Sequence, residues 1–365
     1  MSSLLIRPDY EDLHAIEFCR EFLSGSRPRY VFGRNEFCRS IIDLVGIDGV
    51  IDEFTNEREF HSVPIVPIES IPANALVVVV VVVGKPLIAE KSVRQYQFDS
   101  LDYYAFLKYS GLQLKQIQFL DGAKEDIERN YDEYSWIYDR LKDGTSRNQL
   151  YNLLNFRVSS NLSYMRGFVF EPHRQYFEPF IEFSDGEVFV DAGGFDGSTT
   201  EEFIRRVPSY GSAHVFEPQP DLLEVSCARL KQHRDVTHYS FGLSNRQGDV
   251  RFRLDGSASG ISENGEGTVH VEALDDVLKD VPTFIKMDIE GAELAAIDGC
   301  REAIEKHHPK MAICVYHRKD DVYKIPRKVL GIRPDYDIYL RHYTEGVFET
   351  VMYFVPTQVL GKLSV

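Results

Sequence analysis

The sequence lacks a long apolar segment, an excess of basic residues and paired cysteines, and each absence excludes a class of protein. The longest apolar run, at 75–84, has about half the length that a membrane-spanning helix needs. The formal net charge of -16 argues against nucleic-acid binding, because phosphate contacts require a basic surface. The five cysteines are scattered, odd in number and without metal-ligand spacing, which indicates reduced thiols and predicts a cytoplasmic protein.

The N-terminus also lacks the features of a secretory signal, since MSSLLIRPDYEDLH carries acidic residues early and has no sustained apolar core. The consecutive valines at 77–83 indicate instead a strand that is buried on both faces of a parallel sheet. A chain of 365 residues exceeds the size at which one hydrophobic core usually stops growing, roughly 250 to 300 residues. The sequence therefore predicts two domains without a membrane span.

Strand-like and helix-like segments alternate in the first part of the chain, in RYVFGRNEF, EFCRSIIDLVG and GVIDEFT. This alternation predicts a Rossmann-like α/β domain over residues 1–120. Its first turn has a single glycine, which disfavours nucleotide binding although Asp52 and Glu53 follow the next strand. We interpret this domain as serving packing, acceptor recognition or pairing into a homo-oligomer. Residues 121–170 are predicted to form a helical connector, and residues 171–365 a second α/β domain.

The most informative motif is EVFVDAGGFDG, an apolar strand that ends in Asp191 and continues into a glycine-rich turn and a helix. Gly193, Gly194 and Gly197 lack side chains, so a ligand can lie against the backbone at a helix N-terminus. The dinucleotide fingerprint is absent, and Asp196 stands where a phosphate-binding turn would exclude negative charge. An acid there suits a cation such as S-adenosylmethionine. The alternative is an ordinary strand-turn-helix corner.

Two further strands deliver carboxylates to their carboxyl ends. AHVFEP ends near Glu217, which is suited to accept hydrogen bonds from ribose hydroxyls. FIKMDIEGAELAAIDG delivers Asp288 and Glu290, which are suited to orient a substrate hydroxyl, contact a cofactor or hold a divalent ion. The alternative for Glu217, and for Glu290 and Glu293, is that they complement the dipole of the helix that follows.

The runs VDAGGFDGST, VFEP, FGLSNRQGDVRF, TFIKMDIEGAEL and MAICVYHRKDDVYKIP follow one another in this order. Together they resemble the FkbM family of S-adenosylmethionine-dependent methyltransferases, over residues 176–356. The resemblance implies a Rossmann-like class I methyltransferase domain with a seven-stranded, mostly parallel sheet and an antiparallel final hairpin. It also implies methyl transfer to an oxygen, commonly on a sugar or polyketide-type hydroxyl. The expected acceptor is a small molecule or glycan, with surface-polysaccharide or glycoconjugate biosynthesis favoured by analogy with two-domain sugar-modifying enzymes.

The resemblance also implies residues around the cofactor. Tyr176 precedes the glycine-rich turn, where residues of many methyltransferases close over the methionine end of S-adenosylmethionine. Gly242 and Leu243 lie near the expected position of the adenine ring. Ser257 and Ser259 belong to a polar loop that is suited either to line the site or to remain an ordinary loop.

We predict two catalytic residues. His317 ends the strand after Asp288, and a histidine with a pKa near neutral is the natural base for a hydroxyl proton. Asp288 would orient His317 or the acceptor. The alternative for His317 is that it caps the strand or bonds to Asp320. A Mg²⁺ ion on Asp288 and Glu290 is a second mechanism, not favoured because the sequence has no dense ligand cluster.

Three other functions compete with sugar O-methylation. They are methylation of a polyketide-type metabolite, a non-catalytic assembly role on a cofactor fold, and a dinucleotide-dependent dehydrogenase. The carboxylates and His317 speak against the assembly role, and the missing glycine fingerprint speaks against the dehydrogenase. Arg341 and His342 are further candidates for acceptor contacts.

Overall fold

A computed structural model describes residues 4–7, 11–253, 260–261 and 267–357. The chain divides into two compact units. The first comprises Met1–Tyr131, Asn148–Pro172 and His342–Glu349, and the second comprises Asp132–Arg147, His173–Arg341 and Thr350–Val365. The predicted site residues Ser257 and Ser259 lie outside the described residues. The predicted domain limits at residues 120 and 170 stay predictions.

The elements are as follows. The strands are β1 (Arg29–Phe32), β2 (Gly49–Ile51), β3 (Glu59–Phe60), β4 (Val63–Val66), β5 (Leu76–Val79), β6 (Asp99–Asp102), β7 (Val188–Ala192), β8 (Ser212–Phe216), β9 (Val236–Tyr239), β10 (Gly242–Leu243), β11 (Gly248–Arg253), β12 (Gly260–Ile261), β13 (Gly267–Glu272), β14 (Phe284–Met287), β15 (Lys310–Cys314), β16 (Tyr336–His342) and β17 (Thr350–Pro356). The α-helices are α1 (Leu13–Ser24), α2 (Glu36–Ile42), α3 (Pro86–Arg94), α4 (Tyr103–Tyr109), α5 (Ala123–Arg129), α6 (Tyr131–Arg140), α7 (Gly144–Ser159), α8 (Ser198–Arg206), α9 (Pro220–Leu230), α10 (Leu274–Val277), α11 (Glu293–Gly299), α12 (Arg301–His307) and α13 (Asp321–Ile332). Short 3₁₀ helices cover Ile68–Ser70, Leu162–Gly167 and Pro172–Arg174.

The first unit contains a six-stranded sheet in the order β3-β4-β2-β1-β5-β6. Its pairs are parallel except β3 with β4. All four residues of β5 are buried, which confirms the buried strand predicted from the valine run. Because both faces of β5 are covered, the strand shows no alternation of apolar and polar residues. No helix in the described part of the chain is long and apolar enough to cross a membrane.

The first turn of this unit is occupied by its own side chains. Asn35 caps α2 by accepting hydrogen bonds from two backbone N–H groups of the first helical turn. Arg34 pairs with Asp52, with 3.2 Å between Nε and Oδ2. The helix N-terminus and the acid after β2, two features that a nucleotide would use, are therefore both engaged within the chain.

The second unit contains a seven-stranded sheet in the order β16-β17-β15-β14-β7-β8-β9. The strands from β15 to β9 are parallel, and β17 runs antiparallel to β15. This sheet confirms the predicted seven-stranded, mostly parallel architecture. The strand order reverses between β7 and β14, so the carboxyl ends of β8, β7 and β14 meet where open α/β sheets bind ligands. A smaller sheet has the order β10-β13-β11-β12.

Buried aromatic rings fix α8 against the large sheet. Phe203 of α8 stacks on Phe189 of β7 with 4.4 Å between ring centroids. Phe189 in turn stacks on Phe284 of β14 at 5.2 Å. Because these rings are fully buried, they pack α8, the helix that follows the glycine-rich turn, against β7 and β14.

Candidate functional site

The glycine-rich turn joins β7 to α8, and its glycines are required by close packing. Gly193 has φ +76° and Gly197 has φ +82°. A Cβ atom on Gly193 would lie 1.9 Å from the carbonyl oxygen of Asp288, and one on Gly194 would lie 2.3 Å from Val215 Cγ1. A Cβ on Gly197 would meet a side chain of α9 at 2.6 Å. The missing side chains thus face neighbouring protein atoms, a different reason for glycine than the predicted approach of a ligand.

Asp191 is fully buried at the end of β7, and both of its carboxylate oxygens are engaged by the protein. Oδ2 accepts a hydrogen bond from Thr200 Oγ1 at 2.7 Å, and Oδ1 lies 3.0 Å from Lys286 Nζ. Lys286 also donates to the carbonyl oxygens of Ala192 at 3.2 Å and Gly193 at 2.5 Å. Burial alone would lower the pKa of Lys286, but the charge of Asp191 raises it above its ordinary value. This ion pair therefore secures the turn.

Asp196, which was predicted to attract a cation, has a cationic partner within the chain. Its Oδ2 lies 2.7 Å from Arg229 Nη2, and its Oδ1 accepts the Ser198 N–H at 3.0 Å. Burial would raise the pKa of Asp196, but the hydrogen bonds from Ser198 and the charge of Arg229 have the larger effect. The pKa of Asp196 is therefore below its ordinary value. Arg229 thus compensates the negative charge of Asp196, which is the charge that was predicted to attract a sulfonium.

Glu217 follows β8 and is 4% exposed. Oε2 accepts the Phe195 N–H at 3.0 Å, and Oε1 accepts the Gln219 N–H at 2.8 Å. Burial raises the pKa of Glu217 above its ordinary value. A carboxylate oxygen accepts more than one hydrogen bond, so each oxygen retains capacity for a ligand hydroxyl.

Gly242 and Leu243 form β10, which pairs with β13 of the smaller sheet. Leu243 is buried. A Cβ atom on Gly242 would lie 3.9 Å from Pro218 Cγ, so Gly242 adjoins the end of β8 directly after Glu217. The structure thus brings this predicted adenine-side residue beside the predicted ribose-side residue.

Tyr176 and Asp288, which are far apart in sequence, are joined directly. The Tyr176 hydroxyl donates to Asp288 Oδ2 at 2.7 Å, and it accepts a hydrogen bond from Gln175 Nε2 at 2.9 Å. The Tyr176 N–H donates to the hydroxyl of Tyr353 at 3.0 Å, and Lys286 Nζ lies 5.3 Å from the centroid of the Tyr176 ring. These contacts hold a non-glycine residue at φ +70°.

His317 is buried among three carboxylates. Nδ1 lies 2.9 Å from Glu293 Oε1, and Nε2 lies 3.3 Å from Asp288 Oδ1 and 3.5 Å from Glu290 Oε2. Burial would lower the pKa of His317, but the charges and hydrogen bonds of Glu293 and Asp288 raise it well above its ordinary value. The neighbouring carboxylates thus favour the protonated imidazole, which cannot accept a proton, over the neutral imidazole that a base requires. The structure disfavours the predicted role of His317 as a base.

The same contacts hold Asp288 in its charged form. Burial would raise the pKa of Asp288, but the hydrogen bond from His317, the charge of Lys286 and the hydrogen bond from Tyr176 lower it below its ordinary value. Its side chain nevertheless remains 23% exposed. Asp288 is thus an ionised carboxylate that a ligand can reach.

Sequence reasoning missed Lys286 and the participation of Glu293 and Asp321. The signal for Lys286 is a charged residue inside an otherwise apolar strand, since such a residue requires a buried partner. Glu293, predicted only to complement a helix dipole, accepts the Ile289 N–H at 3.0 Å besides contacting His317. Asp321 is buried, and burial together with the charge of Glu293 raises its pKa to about 7.

The remaining predicted contacts find structural partners. In the described part of the chain, no group of three or more His, Cys, Asp or Glu side chains has an arrangement that could hold a metal ion. The Mg²⁺ mechanism stays a prediction. Arg341 donates to both carboxylate oxygens of Asp143, at 3.3 Å and 2.7 Å. His342 belongs to the first unit, where burial and the charge of Arg157 lower its pKa to about 3.

Comparison with known proteins finds a similarity to one family of methyltransferases. Residues 191–333 match the model of the methyltransferase FkbM domain. The chain is similar to the crystal structure of methyltransferase FkbM from Methylobacillus flagellatus KT, with 25% identity, 94% of each chain covered and a TM-score of 0.76. These two findings confirm the predicted resemblance to the FkbM family.

Other solved structures are more distant. A precorrin-6y C5,15-methyltransferase from Geobacter metallireducens GS-15 shares 16% identity, over 47% of this chain and 80% of that chain, with a TM-score of 0.31. An rRNA methylase from Streptococcus thermophilus shares 15% identity, over 48% of this chain and 89% of that chain, with a TM-score of 0.32. Both are too distant to bear on the reaction. No curated protein matches the chain.

Proposed function

We propose that the chain, a methyltransferase of the FkbM type, transfers a methyl group from S-adenosylmethionine to a hydroxyl oxygen of a sugar. The observation that carries the proposal is the convergence of Glu217, the glycine-rich turn and Asp288 at the carboxyl ends of β8, β7 and β14. Open α/β sheets bind their ligands at this edge, where the strand order reverses.

The residues at this edge fit the proposed cofactor. Glu217 is a buried carboxylate whose two oxygens each accept one backbone N–H, and the remaining lone pairs suit the two hydroxyls of a ribose. Gly242 adjoins the end of β8 on the side proposed for adenine, and Leu243 follows it in β10. Asp191 acts through Lys286 and the turn, because both of its own oxygens are engaged. When bound, S-adenosylmethionine supplies an electrophilic methyl group on a sulfonium.

We assign the orientation of the acceptor hydroxyl to Asp288. Its carboxylate is ionised and partly exposed, and Tyr176 and His317 fix one oxygen each. A carboxylate held in this way can accept a hydrogen bond from the acceptor hydroxyl and turn the oxygen lone pair toward the methyl group. It can then take up the proton that the oxygen loses once the oxygen is methylated. Bringing two reacting atoms together in the correct geometry accounts for much of the catalysis of a displacement reaction.

His317 then acts as a positioning residue. Its imidazolium bridges Asp288 and Glu293, and it compensates the charge of Asp288 beside a partly exposed site. The predicted base role would require a neutral imidazole, which the neighbouring carboxylates oppose. In this proposal Asp288 contacts the hydroxyl proton of the acceptor, and His317 holds Asp288 in position.

A sugar acceptor within a glycan or glycoconjugate is supported by charge and by architecture. A protein of net charge -16 favours neutral acceptors over polyanions. The chain also carries an N-terminal α/β unit, as two-domain sugar-modifying enzymes do, which is an argument from analogy.

Calorimetry and labelling test the two halves of the proposal. We expect the full chain to bind S-adenosylmethionine and not NAD. We expect Glu217→Ala to weaken that binding at least about tenfold, and Glu224→Ala, an exposed acid on α9, to leave it unchanged. Incubation with methyl-labelled cofactor and a panel of glycosides, nucleotide sugars and polyketide hydroxyls should place the label on a sugar oxygen.

The outcomes separate the alternatives. Absence of S-adenosylmethionine binding would contradict the cofactor proposal. Label found only on polyketide hydroxyls would contradict the sugar acceptor and retain the methyltransferase. Tight cofactor binding without transfer to any acceptor in the panel would favour the assembly role.

A further inference from the structure

The first unit contains a cavity of about 500 Å³ whose lining residues all belong to that unit. The lining comes from α4, from residues 111–113, 116–117 and 120–125, and from the end of α7 with Ser160 after it. The volume lies within the range of small-molecule sites, roughly 300 to 1,000 Å³. The cavity is therefore large enough for a molecule the size of a substituted sugar.

The walls of the cavity are held in place by contacts within the unit. Lys108 Nζ donates to the carbonyl oxygen of Ser159 at 2.8 Å, which ties α4 to the end of α7. The Tyr104 ring meets the Phe156 ring edge-on with 4.9 Å between centroids, and its hydroxyl donates to the Val82 carbonyl at 2.9 Å. Because sites for small molecules are usually largely preformed, this fixed wall suits ligand binding.

The cationic side chains of the cavity lining are more buried than its carboxylates. Arg157 is 5% exposed, and Lys108 and Lys124 are half-buried. The two carboxylates of the lining, Asp121 and Glu125, are exposed. The lining thus carries three cationic side chains and two carboxylates, and the carboxylates occupy its exposed part.

We propose that this cavity binds a sugar that bears a phosphate or carboxylate group. The planar guanidinium of Arg157 matches either anion in a two-point hydrogen bond, and the ammonium groups of Lys108 and Lys124 add positive charge. Leu112 and Ile117 in the lining supply apolar surface for the faces of the ring, and Gln113 supplies an amide for its hydroxyls. The proposal goes beyond methyl transfer and does not depend on it.

Calorimetry on the full chain tests the proposal with defined probes. The probes are glucose 1-phosphate and glucuronate, with glucose and inorganic phosphate as the separate halves. We expect one of the two sugar acids to bind at least about tenfold more tightly than glucose and than inorganic phosphate. The two sugar acids distinguish a phosphate from a carboxylate as the recognised group.

Matched variants locate the binding. Lys124→Gln should weaken the preferred sugar acid about tenfold, since it removes a cation from the lining. Lys115→Gln removes the same charge from the same segment, but Lys115 pairs with Glu36 and does not line the cavity, so affinity should stay unchanged. Arg157→Lys keeps the charge but loses the two-point hydrogen-bond geometry, so it should weaken binding. The melting temperature of this variant checks that it still folds.

Three results would overturn the proposal. One is the absence of binding by both sugar acids. Another is equal weakening by Lys124→Gln and Lys115→Gln, which would indicate non-specific attraction. The third is inorganic phosphate binding as tightly as glucose 1-phosphate, which would remove the sugar from the recognised ligand.

Discussion

Lys286 and Asp191 form a buried ion pair at the start of the glycine-rich turn, with 3.0 Å between Nζ and Oδ1. The Lys286 side chain is 3% exposed and the Asp191 side chain is not exposed. Because Lys286 also donates to the Gly193 carbonyl, the pair connects β14 to the turn that we assign to the cofactor. Removing one member leaves the other as a buried charge without compensation.

We expect Lys286→Met to lower the free energy of unfolding by about 3 to 5 kcal/mol, because Asp191 is left charged in an apolar surrounding. The double variant Lys286→Met with Asp191→Asn should recover part of that loss. Urea denaturation measures both. Lys306→Met, which breaks an exposed pair with Glu302, is the control and should leave the free energy of unfolding nearly unchanged. Equal costs for the two lysines would contradict the structural role of Lys286.

Tyr176→Phe should lower kcat by about tenfold with little change in cofactor affinity, because it removes the hydrogen bond that Asp288 Oδ2 accepts from the tyrosine hydroxyl. Initial rates with labelled S-adenosylmethionine, beside calorimetry, separate the two quantities. Tyr336→Phe is the matched control, since it also deletes a tyrosine hydroxyl that donates a buried hydrogen bond, in this case to the carbonyl oxygen of Pro309. That control should lose stability and keep kcat. A Tyr176→Phe enzyme with the wild-type kcat would remove Tyr176 from the site.

The pH profile of kcat/KM distinguishes the two roles of His317. If the imidazole stays protonated, the wild type and His317→Gln should show profiles of the same shape between about pH 6 and pH 8, with the variant lower throughout. Ring nitrogen chemical shifts should show the imidazolium across this range. His307→Gln, at an exposed histidine, is the control. A rising limb near about pH 6.5 that disappears in His317→Gln would restore the predicted base.

The strand-end acids of the site were accessible from the sequence. Asp191, Glu217 and Asp288 each follow an apolar run, and parallel strands separated by helices place such residues at one edge of a sheet. The buried strand β5 could also be predicted from the sequence, because seven consecutive valines strongly favour a β-strand. In both cases local pattern and overall topology point to the same answer.

The partners of these acids were not accessible, because they depend on which side chains meet across the fold. Tyr176 contacts Asp288 across 112 positions, from a residue with no periodic pattern around it. His317 was found as a residue type at a strand end, but its pKa is set by carboxylates that gather around it only in the folded chain. Lys286 was overlooked because a short apolar run does not reveal which neighbour a charged side chain meets.

Gly193→Ala should prevent proper formation of the turn, because Ala would combine a positive φ with a Cβ 1.9 Å from the Asp288 carbonyl oxygen. Gly186→Ala is the matched control, with φ +80° and no neighbouring atom within 4 Å. The control should lose only about 1 to 2 kcal/mol from backbone strain. Gly193→Ala should lose more stability and also bind S-adenosylmethionine at least about tenfold less tightly. Thermal unfolding and calorimetry measure both, and similar values for the two variants would contradict the close approach.

Asp321 predicts a specific dependence of stability on pH. Its pKa is raised from an ordinary 3.8 to about 7 by burial and by the charge of Glu293. The folded state therefore binds more protons than the unfolded state between these two values, so this contribution to stability is complete below pH 3.8 and is lost as the pH rises through about 7. The difference between the two pKa values corresponds to at most about 4 kcal/mol.

Asp321→Asn resembles the protonated acid and keeps an oxygen for the Arg318 N–H, which donates to Asp321 at 2.8 Å. We expect the variant to be more stable than the wild type at about pH 8, and the gap to close toward about pH 4, in urea denaturation series at each pH. Asp320→Asn, at the preceding residue that pairs with Lys324, should follow the wild-type profile. If the free energy of unfolding of Asp321→Asn also changes with pH in parallel with that of the wild type, Asp321 ionises freely in the folded chain. Its carboxylate is then not buried beside Glu293.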